Sequence, residues 1–171
     1  MTIKQKNDAV LITKEAFHAI GIKWEGTFAE AGEGGIREIQ IELQKRLKEI
    51  SGIVDPEIML GLSYHAIPGG NGFTHYAAVE VEKVEKIPSG MVSIFVPTLT
   101  YATCKHYKGQ SIESSYNNIY NWISSERLKE NYVDHLTHFE KYPMNQHPYS
   151  TDPEFTIMIP VTRYYNAIDI C

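Results

Sequence analysis

The 171 residues carry 16 Lys and Arg against 21 Asp and Glu, a formal charge of −5, with 43% hydrophobic residues and two cysteines. That length fits one compact domain, with a core large enough to need no disulfide or metal staple. Cations scattered singly among acids exclude a primary phosphate-binding surface, which depends on clustered Lys and Arg, and no run approaches the ~18 consecutive apolar residues of a membrane span.

The first ten residues are polar, include Lys4 and Lys6, and lack the apolar stretch of a signal peptide, so a cytoplasmic, reducing setting is expected. Cys104 lies in an apolar-aromatic run as a small buried residue, and Cys171 ends the chain; neither belongs to a paired motif. The first strand is predicted over residues 16–24. A break follows at Gly26, Gly32, Gly34 and Gly35, where the stretch around Gly32 lacks the Lys-Ser/Thr of a phosphate loop and reads as a rim loop.

Ile36, Ile39, Leu43, Leu47 and Ile50 recur at spacings of three and four, which stacks them on one helix face. Glu42 and Arg46 sit four apart on the polar side, and Gly52 and Pro56 end the helix. Strands are predicted over residues 58–64 and 73–84, separated by the turn Pro68-Gly69-Gly70-Asn71-Gly72. After the turn Pro88-Ser89-Gly90, β-rich runs cover 91–96 and 101–107. Lys108-Gly109 breaks the second run. Ser111 then caps a helix whose stripe is Ile112, Tyr116, Ile119 and Ile123. A short strand over 138–142, a loop holding Pro143, Pro148 and Pro153, and a strand over 155–161 close the pattern.

The order strand, Gly, helix, strand, loop, strand therefore occurs twice, over about residues 16–84 and 91–161. Aligning Gly26 with Gly109, Leu62 with Glu140 and Tyr76 with Phe155 gives offsets of 83, 78 and 79, as a duplication with one loop-length change would leave. Two unrelated βαββ halves would satisfy the same pattern. The fold class expected is α+β.

Glu140 is the sharpest candidate for chemistry. Alternation puts His138, Glu140 and Tyr142 on one strand face and Phe139 and Lys141 on the other. With Phe139 beneath the helices, Glu140 would point into a groove. A carboxylate among aromatic rings favours a cationic partner or a raised pKa, which suits cation binding or general acid–base work. The plainer alternative is a surface glutamate paired with Lys141 or a nearby Arg. The 11 Tyr, 6 Phe and 2 Trp supply flat apolar walls, of which Tyr64, Tyr76, Tyr101, Tyr142 and Trp122 form the predicted lining. His135 and His138 fall at a strand start with no Cys or paired acid nearby, so no metal is expected. The dinucleotide, P-loop and nucleophile-elbow motifs are absent, so no cofactor is expected.

Seven short pieces in order carry a resemblance: Phe17-His18-Ala19-Ile20-Gly21-Ile22; Tyr76-Ala77-Ala78-Val79-Glu80-Val81; Ile87-Pro88-Ser89-Gly90-Met91; Tyr101-Ala102-Thr103 leading to Gly109; Ile119-Tyr120-Asn121-Trp122-Ile123; Phe139-Glu140-Lys141-Tyr142; and Ile157-Met158-Ile159-Pro160-Val161. The chain resembles the GyrI-like, or bacterial transcription-activator effector-binding, domains over nearly its whole length. The resemblance implies a duplicated βαββ unit forming a curved antiparallel sheet, with two main helices on one side and a ligand groove on the other. It also implies that Glu140 reaches the ligand.

Family members sit behind DNA-binding domains in multidrug-responsive activators, act as gyrase inhibitors or stand alone, and some hydrolyse cyclopropane-containing toxins. Only about sixteen residues precede the first predicted strand, so one domain without its own DNA reader, and no direct DNA binding, is the expectation. Small-molecule binding for sensing or sequestration, of a hydrophobic or cationic ligand, leads the functional readings. A hydrolase using Glu140 as general base with Tyr142 or Tyr101 assisting is the second, because no other unmistakable catalytic group accompanies them. A protein-interaction role, with a protein partner or a homodimer, is the third.

Overall fold

The computed structural model describes residues 7–164; Lys4, Lys6 and Cys171 lie outside the described residues. Its strands are β1 (Val10–Lys14), β2 (Phe17–Gly26), β3 (Ile58–Tyr64), β4 (Phe73–Val81), β5 (Val92–Val96), β6 (Leu99–His106), β7 (Leu128–Glu130), β8 (Leu136–Pro143) and β9 (Phe155–Arg163). Its α-helices are α1 (Phe28–Gly32), α2 (Gly35–Lys45) and α3 (Ile112–Ser125). The expected α+β class holds, with one antiparallel sheet in the order β1-β6-β9-β8-β3-β4-β2-β5 and β7 beside β9.

That order is symmetric about the β3–β8 pair. The registers make the duplication quantitative, because Ile20–Val79 and Ile22–Ala77 in one half correspond to Ala102–Ile159 and Cys104–Ile157 in the other. Gly61–Ala77 corresponds likewise to Glu140–Ile157. Matched positions are thus 82 apart for β2 and β6, 79 for β3 and β8, and 80 for β4 and β9. Each offset read from the sequence was one residue out. A one-residue slip on a strand exchanges the two faces, so the alignments of Leu62 with Glu140 and of Tyr76 with Phe155 matched side chains on opposite faces.

Four other local expectations shift. Residues 10–14, which precede the first predicted strand, form edge strand β1. β7 was not foreseen. The Gly-rich break contains α1, begun by a capping box in which Thr27 and Glu30 each bond the other's backbone N–H; this satisfies two of the orphan donors of a helix start. Helix α2 ends at Lys45 and passes into a 3₁₀ turn, Leu47–Glu49, while Arg46 bonds Glu42, Glu49 and the Ser89 carbonyl.

The edges explain the curvature. β1 and β2 are joined by two residues, as are β5 and β6, yet β1 pairs with β6 and β5 with β2 at opposite ends of the sheet. Two short links between opposite ends force the sheet to curl. Its concave face is thereby filled by Phe17, Leu60, Leu62, Tyr101, Phe139 and Met158 with their neighbours. On the convex face α2 covers β2 and β4, and α3 covers β6 and β7. Ile39 and Leu43 of α2 correspond to Ile119 and Ile123 of α3, 80 positions on, and each pair anchors its helix in a separate core. Neither helix lies over the central strands β3 and β8. Among the described residues, no helix is long and apolar enough to cross a membrane.

Candidate ligand-binding site

The uncovered strip between the helices is a cavity of about 530 Å³. It opens on the helix-bearing face, not on the opposite face where the groove was expected. The physical reason is the curl just described, which closes the concave side around its own core. The face assignment of β8 also reverses: Phe139 lies away from the helices, and Glu140 reaches the cavity because it points toward them.

The floor is built from cross-strand rows. His138, Ser63 and His75 lie abreast on β8, β3 and β4, and Glu140, Gly61 and Ala77 form the next row. Gly61 stands at the symmetry position of Glu140 and directly opposite it. A Cβ there would lie 3.0 Å from the His75 ring and 3.4 Å from the Tyr142 ring, so the missing side chain is the space into which both rings lean. The walls come from Ile36 and Gln40 of α2 and from Ile112, Tyr116 and Tyr120 of α3. Ile36 and Gln40 are the symmetry mates of Tyr116 and Tyr120, so equivalent helix faces meet across the floor with unequal chemistry.

Phe28 stacks on Phe73 at 4.8 Å between ring centres, closing one end. The Pro-rich loop after β8 closes the other with Gln146 and Pro148. That loop is tied to α2 through Gln44, which donates to the Met144 and Gln146 carbonyls, and through Tyr149, whose hydroxyl donates to Glu38.

Glu140 accepts two phenolic hydrogen bonds, from Tyr116 at 2.6 Å and Tyr142 at 2.7 Å. Burial first, and then the charge of Glu140, hold both phenols well above the ordinary tyrosine range. They remain neutral donors at ordinary pH. Among the described residues no Lys or Arg forms an ion pair with Glu140, which removes the alternative of a partner in Lys141. Arg37 lines the cavity, with its guanidinium 5.4 Å from the centre of the Tyr149 ring.

His138 is pushed below the usual histidine range by burial, against the pull of Glu140. Burial and then the neighbouring His138 lower His75 to about 3. At neutral pH both imidazoles of the floor, His75 and His138, are therefore uncharged. The pair noted in the sequence is split, since His135 stacks on His65 away from the floor at 4.3 Å between ring centres.

Of the predicted lining set, the structure brings Glu140 and Tyr142 together in this cavity and places the rest elsewhere. Tyr101 is fully buried on the concave side, edge-on to Phe139. Tyr64 and Tyr76 pack edge-on to each other on that same side. Strand alternation separates them from Ser63, His75 and Ala102, their convex-face neighbours. Trp122 packs on the α3 core, two residues beyond the cavity-facing Tyr120. Tyr120 was missed as a wall residue, and Tyr116 was assigned to the buried stripe. The signal was present in the i, i+4, i+8 spacing of Ile112, Tyr116 and Tyr120, a stripe distinct from Ser115, Ile119 and Ile123. Cys104 is buried as expected, and burial pushes its thiol up to about 11.

A curled, internally duplicated antiparallel sheet with a carboxylate-floored cavity between its two main helices is the architecture of a small-molecule effector-binding domain. The chain belongs to the Cass2 family of integron-associated effector-binding proteins, whose model matches residues 10–161, and the GyrI-like resemblance is borne out. The EcmrR C-terminal domain is similar in structure, with a TM-score of 0.69 at 15% identity over 92% of this chain and 99% of that one. SAV2435 bound to tetraphenylphosphonium gives a TM-score of 0.63 at 17% identity over 91% and 94%. The integron cassette protein VCH_CASS2 from Vibrio cholerae gives 0.57 at 15% identity over 92% and 98%. No curated protein sequence matches the chain significantly.

Proposed function

We propose that this effector-binding protein takes amphipathic organic cations into the cavity between α2 and α3, with Glu140 as their counter-charge, for sensing or sequestration in transcription regulation or drug and toxin response. The observation that carries the reading is a carboxylate on the floor of an aromatic cavity, held by two neutral phenols and, among the described residues, by no cation. Removing it from water is costly unless an opposite charge arrives, and Tyr116, Tyr120, Tyr142, Phe28 and Phe155 offer ring faces to a cation's apolar body. The bulky aromatic cation bound by SAV2435 supports the same ligand class.

Two ions of one shape and opposite charge test this directly. Calorimetric titration should show tetraphenylphosphonium binding while tetraphenylborate does not. Equal binding of the two would make the cavity a greasy site indifferent to charge, contrary to the reading.

A further inference from the structure

His75 is 3% exposed, lines the cavity, and has one ring nitrogen without a partner. Its Nδ1 lies 2.9 Å from the Ser63 hydroxyl, on the residue directly opposite it in the β3–β4 pairing. Donation from the Ser63 hydroxyl to Nδ1 leaves only Nε2 unpaired, whereas the reverse direction would leave the hydroxyl proton without an acceptor among the described residues as well; the first arrangement puts the ring proton on Nε2. Nε2 is the atom left unpaired, and it sits beside Gly61, where an added Cβ would lie 3.0 Å from it. Gly61 pairs with Glu140 on the adjacent strand.

A buried N–H without an acceptor is costly, and the fold keeps this one beside Gly61, the strand partner of Glu140. The Ser63–His75 pair is not a nucleophile–base couple, because nothing orients the second nitrogen and burial keeps the ring from taking a proton.

We infer that His75 Nε2–H is a second anchor in the cavity, so that the site selects lipophilic cations that also carry a hydrogen-bond acceptor, such as a ketone or ether oxygen. The acceptor would stand about one strand spacing, roughly 5 Å, from the group that meets Glu140. An uncharged donor suits this place, since it can bind an acceptor without repelling the cation beside it. The inference rests on the cation reading above and narrows its ligand class.

Two probes that differ only in replacement of a carbonyl by a methylene separate the claims: 4-benzoylbenzyl-trimethylammonium and 4-benzylbenzyl-trimethylammonium. The wild type should bind the ketone about tenfold more tightly, the worth of one hydrogen bond to a buried donor. His75→Leu should bring the ratio close to one. Ser63→Ala, a smaller change, should reduce the ratio by releasing the tautomer. Glu140→Gln should weaken both probes by a similar factor and keep the ratio. Equal affinities in a wild type whose binding falls in Glu140→Gln would overturn the His75 assignment alone, as would a ratio that survives His75→Leu. If neither probe binds, or if Glu140→Gln leaves both unchanged, the cation reading fails and the inference falls with it.

Discussion

Replacing Glu140 with glutamine should weaken tetraphenylphosphonium binding about thirtyfold, the equivalent of about 2 kcal/mol. A unit charge ~5 Å from a carboxylate gains roughly 3 kcal/mol at the effective dielectric of a protein site, and desolvation of both groups returns part of it. Glutamine keeps the size of the side chain. Its amide oxygen still accepts from one phenol, and its amide nitrogen can donate to the other, so Tyr116 and Tyr142 both retain a partner. The melting temperature should therefore move little while affinity falls, a separation that titration and thermal unfolding can read on one preparation. Thirtyfold weaker binding with an unchanged melting point identifies lost charge; unchanged binding would show that the carboxylate does not meet the cation.

The adjacent residue should behave in the opposite way. Phe139 is fully buried and packs edge-on against Phe17 at 6.1 Å and Tyr101 at 5.1 Å between ring centres. Truncation to alanine leaves a large hole in a core that the strand links hold curled, and should cost about 3–5 kcal/mol. For a chain of this size that lowers the melting temperature by roughly ten degrees. The folded Phe139→Ala protein should still bind tetraphenylphosphonium, because the lost ring faces away from the cavity. A variant that is fully stable but no longer binds would mean that the concave face, not the helix face, holds the ligand.

Much of this architecture was legible in the sequence. The 3.6-residue stripe of Ile36, Ile39 and Leu43, the alternation around Ala77 and Val79, and the twofold recurrence of one element order follow from local physics. The identity of Glu140 as the polar residue of a groove strand was legible for the same reason. The face it occupies was not. Periodicity tells which side chains share a face, but which face meets the helices depends on pairings between distant residues, such as Val10 with Thr103 and Phe17 with Val96. Those pairings curl the sheet, fill its concave side with Tyr101 and its neighbours, and leave the strip between the helices open.

Two further features escaped for related reasons. β1 is short, and Val10, Leu11 and Ile12 stay exposed on an edge, so no buried pattern marks it. Gly61 is silent as a sequence letter, yet its lack of a side chain seats His75 and Tyr142. The duplication makes the contrast plain: glycine and glutamate occupy equivalent positions at the centre of the floor, where one makes the space and the other supplies the charge.

The most direct measurement is the position of a heavy-atom cation in the crystal. Tetraphenylarsonium, a close analogue of tetraphenylphosphonium, can be located by the anomalous signal of its arsenic. The arsenic peak should lie above Glu140 and Gly61, between α2 and α3, with phenyl rings against Tyr116, Tyr120 and Phe28. A peak on the concave face beside Tyr64, Tyr76 or Tyr101, or one clear of Glu140, would contradict the account.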